Sequence, residues 1–194
     1  MDENINIENT AADAENKGVV REIFEWVMCI VIAVAVAMFI KTFIMTVAKV
    51  DGESMLDTLH DQERLIAWKL GYEPENNDVI IFQPRESTPQ SRKFFVKRVI
   101  ATENQSVEIN YNENAVYVDG VKIDEPYIYE EMLDISFGST DYWVVPEDHV
   151  FVMGDNRNNS RDSRSDSVGF VNCDSIEGKV VFRFWPLNKM GIVK

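Results

Sequence analysis

Residues 26–40 carry no charge and are nearly all apolar, and this run constrains the chain more than any other feature. Continued through Lys41 and Thr42 to Met45, it reaches 20 residues. As a helix that is roughly 30 Å, the thickness of a bilayer core. Lys41 lies near the far end, where its stem can follow lipid while its ammonium reaches the interface. A buried soluble helix and a cleaved secretory signal are the other uses of such a run. A cleaved signal carries a basic n-region and a small-residue cleavage site. Here the preceding residues are acidic (Asp2, Glu3, Glu8, Asp13, Glu15, Glu22 and Glu25 against Lys17 and Arg21), and Thr46-Val47-Ala48 is a weak site. The pattern predicts a permanent single span, with 1–22 an acidic tail, 23–46 the membrane helix and 47–194 one further domain. The count of bases flanking the span is level, with Lys17 and Arg21 before it and Lys49 and Arg64 soon after, so it does not choose a side.

Charge then removes whole classes of function. With 33 acids against 19 bases, net −14, the chain lacks the basic face that a nucleic-acid partner requires. Two histidines and two cysteines are too few for a disulfide framework or a Cys/His zinc site. A histidine-based triad would have to use His60 or His149. No metal site or cofactor is expected.

Beyond the span the residues read as mostly β. High strand propensity marks Arg64-Leu65-Ile66-Ala67-Trp68, Asp78-Val79-Ile80-Ile81-Phe82, residues 94–100 and Trp143-Val144-Val145. Residues 106–110 and 115–123 look like paired strands, with turns at Asn112-Glu113-Asn114 and Asp119-Gly120. The stretch Gln83 to Lys93 reads as a loop. The expected architecture is one antiparallel β domain on a membrane anchor.

Three segments carry chemistry. The first is Asp51-Gly52-Glu53-Ser54-Met55-Leu56. A serine after a glycine turn is most often only a turn residue, but Ser54 lies nine residues past Met45, within about 30 Å of the span's end even if fully extended. The second is Lys97, in Phe94-Phe95-Val96-Lys97-Arg98-Val99-Ile100. Strand alternation puts Lys97 on the face of Phe95 and Val99, and Arg98 on the face of Val96 and Ile100. Burial among apolar neighbours lowers a lysine's pKa, and neutrality near pH 7 to 8 needs a fall of roughly 2 to 3 units. A strand lysine that snorkels or pairs with an acid is the plainer reading.

The third segment runs from Gly154 to Arg164 as Gly-Asp-Asn-Arg-Asn-Asn-Ser-Arg-Asp-Ser-Arg. Asp155, Asn159 and Asp166 fall at calcium-ligand spacing, but Arg157 occupies a ligand position and the central glycine is missing. Three arginines and two aspartates in so short a stretch point instead to an ion-paired scaffold for a polar site.

These segments, in this order behind one span, resemble bacterial signal peptidase I, in its short single-span form. Ser54-Met55-x-x-Thr58-Leu59 is similar to the nucleophile box, Phe95-Val96-Lys97-Arg98-Val99 to the base box, and 154–164 to the long signature. Asp78 to Phe82, Val118-Asp119-Gly120-x-x-Ile123-x-Glu125-Pro126-Tyr127 and Phe182-Arg183-Phe184-Trp185-Pro186-Leu187 are similar as well. The resemblance implies a β domain of the signal peptidase type with Ser54 as nucleophile and Lys97 as general base. It implies a hydrogen bond from Ser160 to the lysine, ion pairs Arg98–Asp155 and Asp162–Arg164, and Met55 against substrate. It also implies a cytoplasmic tail and an extracytoplasmic catalytic domain. The implied partners are the bilayer and secretory preproteins emerging from the translocase, cleaved after small residues at −1 and −3.

Two departures stand out. Asp57 occupies a position where the family usually has proline, and Ala101-Thr102-Glu103-Asn104-Gln105 stands where it usually has a Gly-x-Pro-Gly-Asp turn. An acid within about 6 Å of Lys97 would favour lysinium, the wrong direction for a base. These departures keep open a second reading, a catalytically weak relative serving as an assembly factor for surface proteins. A soluble self-cleaving repressor with Ser-Lys chemistry is the third, and it would lack the span.

Cys29 lies in the span and Cys173 in the outer domain, so no intramolecular disulfide is expected. Thiol titration of the denatured, unreduced chain should find two free thiols; a monomeric chain showing none would overturn this topology.

Overall fold

The structure, a computed structural model, describes residues 2–85, 93–133 and 140–193. Residues 1–43 and 44–194 form two compact units. The first is helix α1 (Asp2–Phe39), which begins well before the apolar run. Ala11, Ala12, Ala14 and Glu15 are strong helix formers, and extending an existing helix adds a hydrogen bond per residue without a new nucleus. Residues Arg21–Ile44 make one helical segment of 24 residues, long and apolar enough to cross a membrane. Its last turn, Ile40–Ile44, is π-helical.

The second unit is antiparallel β. Its strands are β1 (Met45–Lys49), β2 (Arg64–Trp68), β3 (Val79–Phe82), β4 (Phe95–Ala101), β5 (Ser106–Asn110), β6 (Ala115–Val118), β7 (Val121–Lys122), β8 (Thr140–Val144), β9 (His149–Met153), β10 (Val171–Asn172), β11 (Ile176–Trp185) and β12 (Gly191–Ile192). Among the described residues one sheet runs β1-β2-β11-β3-β4-β9-β10, with β12 on β11, and a second runs β7-β6-β5-β8. Most of these strands lie where propensity places them. The expected loop Gln83 to Lys93 falls largely outside the described residues. Strands β1, β9, β10, β11 and β12 were not anticipated.

The centre of the large sheet positions the candidate chemistry. Lys97 of β4 stands opposite Ile80 of β3, and Arg98 opposite Val79. On its other side β4 pairs with β9, Arg98 against Met153. Phe95 and Val99 pack with Ile80, Phe82, Val150 and Val152. Val96 packs with Val79, Ile81, Met55 and Leu59. The alternation read from the sequence is therefore real, with both faces of β4 covered. A third cluster, containing Ile100, Val107, Ile109, Phe151 and Met153, joins the two sheets.

Long β11 spans this sheet only by bending. Its pairing slips between Ile176 and Gly178 against β3, and twice more against β2. Gly178 has φ +147°, and a Cβ there would sit 2.4 Å from the Trp68 carbonyl oxygen. Both the backbone conformation and the close approach require glycine. Gly178→Ala should therefore cost about 1–3 kcal/mol from backbone strain alone, read as a lowered thermal unfolding midpoint. An unchanged midpoint would mean that the bulge is not held as described.

Candidate active site

The turn that carries Ser54 leads from β1 to β2. Leu56 N–H donates to Glu53 O (3.2 Å) and Leu59 N–H to Met55 O (2.8 Å), closing two successive turns. Met55 and Leu59 are buried in the core cluster beneath, so apolar packing fixes the turn from below. Ser54 is thereby presented to the side chain of Lys97, whose Nζ donates to Ser54 Oγ at 2.6 Å and to Val96 O at 3.1 Å. Lys97 is only 4% exposed and lies 5.4 Å from the Phe95 ring centre.

Burial pushes the Lys97 pKa down to about 8. Asp162 and Asp155 act in the opposite direction, and Arg161 and Arg164 favour the neutral amine. Desolvation prevails because each nearby carboxylate is already matched by an arginine. Arg98 grips Asp155 with both arms, Nε to Oδ1 at 2.9 Å and Nη2 to Oδ2 at 2.8 Å. Arg164 does the same to Asp162, with both distances 2.9 Å. Burial alone would raise the Asp162 carboxyl, but Arg164 and the Gly154 N–H outweigh it and hold the pKa below the usual range.

The loop 154–164 brings these ion pairs against the turn that carries Ser54. Thr58 Oγ1 donates to Asp155 Oδ2 (2.5 Å), so the serine turn, β4 and the loop meet at one carboxylate. Gly154 N–H donates to Asp162 Oδ2 at 3.0 Å. A Cβ on Gly154 would lie 2.2 Å from Ser160 Oγ and 2.4 Å from Ser54 O, so only glycine lets the loop come this close.

The structure thus brings together Ser54, Lys97, Arg98, Asp155, Asp162 and Arg164, as expected. Met55 joins Val50, Ser54, Phe95, Val96 and Lys97 in lining an open cleft of about 440 Å³. Ser160 differs from expectation. Its Oγ is buried facing the Asp162 carboxylate, reaches hydrogen-bond geometry with no group, and makes no bond to Lys97. The Lys97 amine is occupied instead by Ser54 and the Val96 carbonyl. Neither histidine enters the site: His60 Nε2 lies 3.7 Å from Asp57, and His149 Nδ1 contacts Glu147 O. Among the described residues no cluster of His, Cys, Asp or Glu is arranged to hold a metal ion.

Several supporting residues escaped the sequence reading. Arg157 is buried, paired with Glu125, and donates to Gly154 O (3.1 Å). Tyr127 lays its ring 3.9 Å from the Arg98 guanidinium carbon. Both Glu125 and Tyr127 lie in a segment whose similarity was noted, but nothing local marks which side chains they meet.

Residues 23–185 match the family described as signal peptidase, peptidase S26. A signal peptidase I of Leptolyngbya laminosa is 35% identical over 176 residues, 87% of this chain and 83% of that one. Signal peptidase IB of Staphylococcus aureus (strain COL) is 34% identical over 186 residues, 87% of this chain and 93% of that one. A crystal structure of a signal peptidase I from Enterococcus faecalis V583 is 28% identical with a TM-score of 0.45, covering 56% of this chain and 97% of that one. The matches define a peptidase. The chain belongs to the signal peptidase family, peptidase S26.

Asp57 does not act on Lys97 as its place in the sequence allowed. Its side chain is 77% exposed and lies 3.7 Å from His60, and the leading influences on the lysine are burial, Asp162, Asp155, Arg161 and Arg164. Asp57→Asn should leave the apparent pKa on the acidic limb of kcat/KM unchanged. A fall of half a unit or more would restore the electrostatic role.

Proposed function

We propose that this chain is a membrane-anchored signal peptidase I that removes signal peptides from secretory preproteins, with Ser54 as nucleophile and Lys97 as general base. The observation that carries this reading is the 2.6 Å contact between Ser54 Oγ and a buried lysine whose pKa is lowered to about 8. Near that pH a useful fraction of the lysine is neutral, and the Ser54 hydroxyl then donates to the Lys97 amine. Lys97 takes the proton as Oγ attacks the scissile carbonyl. The Ser54 N–H stabilises the tetrahedral oxyanion. Lysinium gives the proton to the leaving amine, and the acyl-enzyme is hydrolysed by a water that Lys97 deprotonates in turn. Asp155 and Asp162, already matched by Arg98 and Arg164, hold the surrounding frame.

The cleft supports a peptide substrate. Val50, Met55, Phe94, Phe95 and Val96 give it apolar walls beside Ser54 and Lys97, which suits the small side chains at −1 and −3 of signal peptides. The helix supports the anchor: Trp26, Ile30, Val34 and Phe39 are exposed, a surface that lipid solvates and water does not. In this proposal the N-terminus is cytoplasmic and the β domain extracytoplasmic, where it meets preproteins as they leave the translocase. No cofactor or nucleic acid takes part.

Purified full-length chain in detergent should cleave a secretory preprotein with alanine at −1 and −3, and Ser54→Ala should abolish this. Lys97→Arg should be equally inactive, because guanidinium stays protonated and accepts no proton. The sign of the pH dependence follows from the base. The neutral amine is active, so kcat/KM should rise with pH through about 8. Activity in Lys97→Arg, or a profile flat from pH 6 to 9, would refute the Ser-Lys assignment.

A further inference from the structure

We propose that Asn156 is a positioning residue that fixes the peptide planes on both sides of Ser54 and so aims the Ser54 N–H at the oxyanion. This rests on the reading of Ser54 as nucleophile. Asn156 is buried. Its backbone N–H donates to Ser54 O and its side-chain Nδ2 to Glu53 O, both at 3.1 Å. Two consecutive carbonyls, one before and one after the nucleophile's Cα, are thus held by one residue from the facing loop.

The chemistry lies in the first of these bonds. The Glu53 carbonyl and the Ser54 N–H belong to the same trans peptide, so they point in opposite directions. Drawing the carbonyl toward Asn156 turns the N–H the other way, toward the cleft that Ser54 lines. No hydrogen bond among the described residues uses that N–H, which leaves it available to a developing negative charge. Donation to the carbonyl also polarises the peptide and makes its N–H a better donor. Leu56 N–H shares the Glu53 oxygen at 3.2 Å, so the plane is held partly by the turn itself and partly by Asn156.

Two further observations single out this residue. The position two before Ser54 is Gly52, which has no hydroxyl to offer, and its own N–H is committed to Asp61 Oδ1 at 2.9 Å. The Ser54 N–H therefore carries a larger share of the oxyanion stabilisation. Second, Asn156 Oδ1 is buried with no partner. Among the described residues the amide is therefore held through its donor, the bond to Glu53 O.

The test is steady-state cleavage of the same alanine preprotein by full-length Asn156→Ala and Asn156→Asp in detergent, with thermal unfolding of each. Both variants keep the backbone N–H to Ser54 O and lose the side-chain donor, and Asn156→Asp adds a carboxylate in its place. Asn156→Ala should lower kcat at least tenfold, with KM within about twofold and the acidic limb unmoved, because Lys97 is untouched. Asn156→Asp keeps the shape without the donor and should fall at least as far. Removing an oxyanion donor outright costs about 10²–10³ in kcat, which sets the upper end. Wild-type kcat in either folded variant would overturn the proposal, as would a loss expressed in KM or as a shifted limb in Asn156→Ala. Failure of both to fold would overturn it too, since the bond would then be structural. Failure of the Ser-Lys reading shows separately, as activity in Ser54→Ala.

Discussion

Everything in the site depends on keeping one lysine out of water. Moving Lys97 to a pKa of about 8 costs about 3 kcal/mol relative to a solvated lysine, at 1.36 kcal/mol per unit. Two buried carboxylates act in the direction that would cancel that shift. They do not cancel it, because Asp155 and Asp162 each sit in a two-armed grip from an arginine, so Lys97 faces compact ion pairs rather than bare negative charges. Opposite charges side by side make a field that falls off faster than that of a lone charge. The remaining pull toward lysinium is smaller than the desolvation that opposes it.

Those ion pairs are poor candidates for global stabilisers. A buried pair regains in attraction roughly what its desolvation costs. Their value here is placement. Asp155 accepts from Arg98 on β4 and from Thr58 on the serine turn, while its backbone carbonyl takes the Tyr129 N–H at 3.1 Å. Glu125 and Arg157 repeat the device, since Arg157 also reaches the carbonyl of Gly154. Charged, directional contacts set the distance between loop, turn and strand more narrowly than apolar packing alone.

How much of this was legible depended on whether the signal was local. The span, the strands from β2 to β8 and the opposite faces of Lys97 and Arg98 all follow from local propensity and periodicity over a few residues. β11 did not show, because Gly178 and three slips in register break the alternation that marks a strand. β1 was hidden by the apolar run it adjoins. In the site, Ser54, Lys97 and the two ion pairs were recoverable through the family resemblance, but Ser160 was not placed correctly. Where its hydroxyl ends up depends on the close approach of Gly154 and Asp162, which no motif encodes. Asn156 was equally invisible, because its partners are two main-chain carbonyls, and any residue type could have supplied those.

The two departures from the family pattern look different once the tertiary contacts are known. Proline stiffens a turn from within. Here the turn is held from outside, by Thr58 on Asp155, by Asn156 on two carbonyls and by Met55 and Leu59 in the core, so Asp57 can face solvent without loosening it. At the end of β4 the glycine turn is replaced by Asn104 at φ +64°, a conformation asparagine tolerates, with Asn104 N–H on Val145 O (2.9 Å). Gln105 completes it, its Oε1 accepting from Thr102 N–H at 2.9 Å and its Nε2 donating to Asp119 at 3.0 Å. Strand β4 therefore leaves the site along a defined path. What the sequence lost in backbone rigidity it recovers in side-chain hydrogen bonds, and neither change reaches the atoms around Ser54 and Lys97.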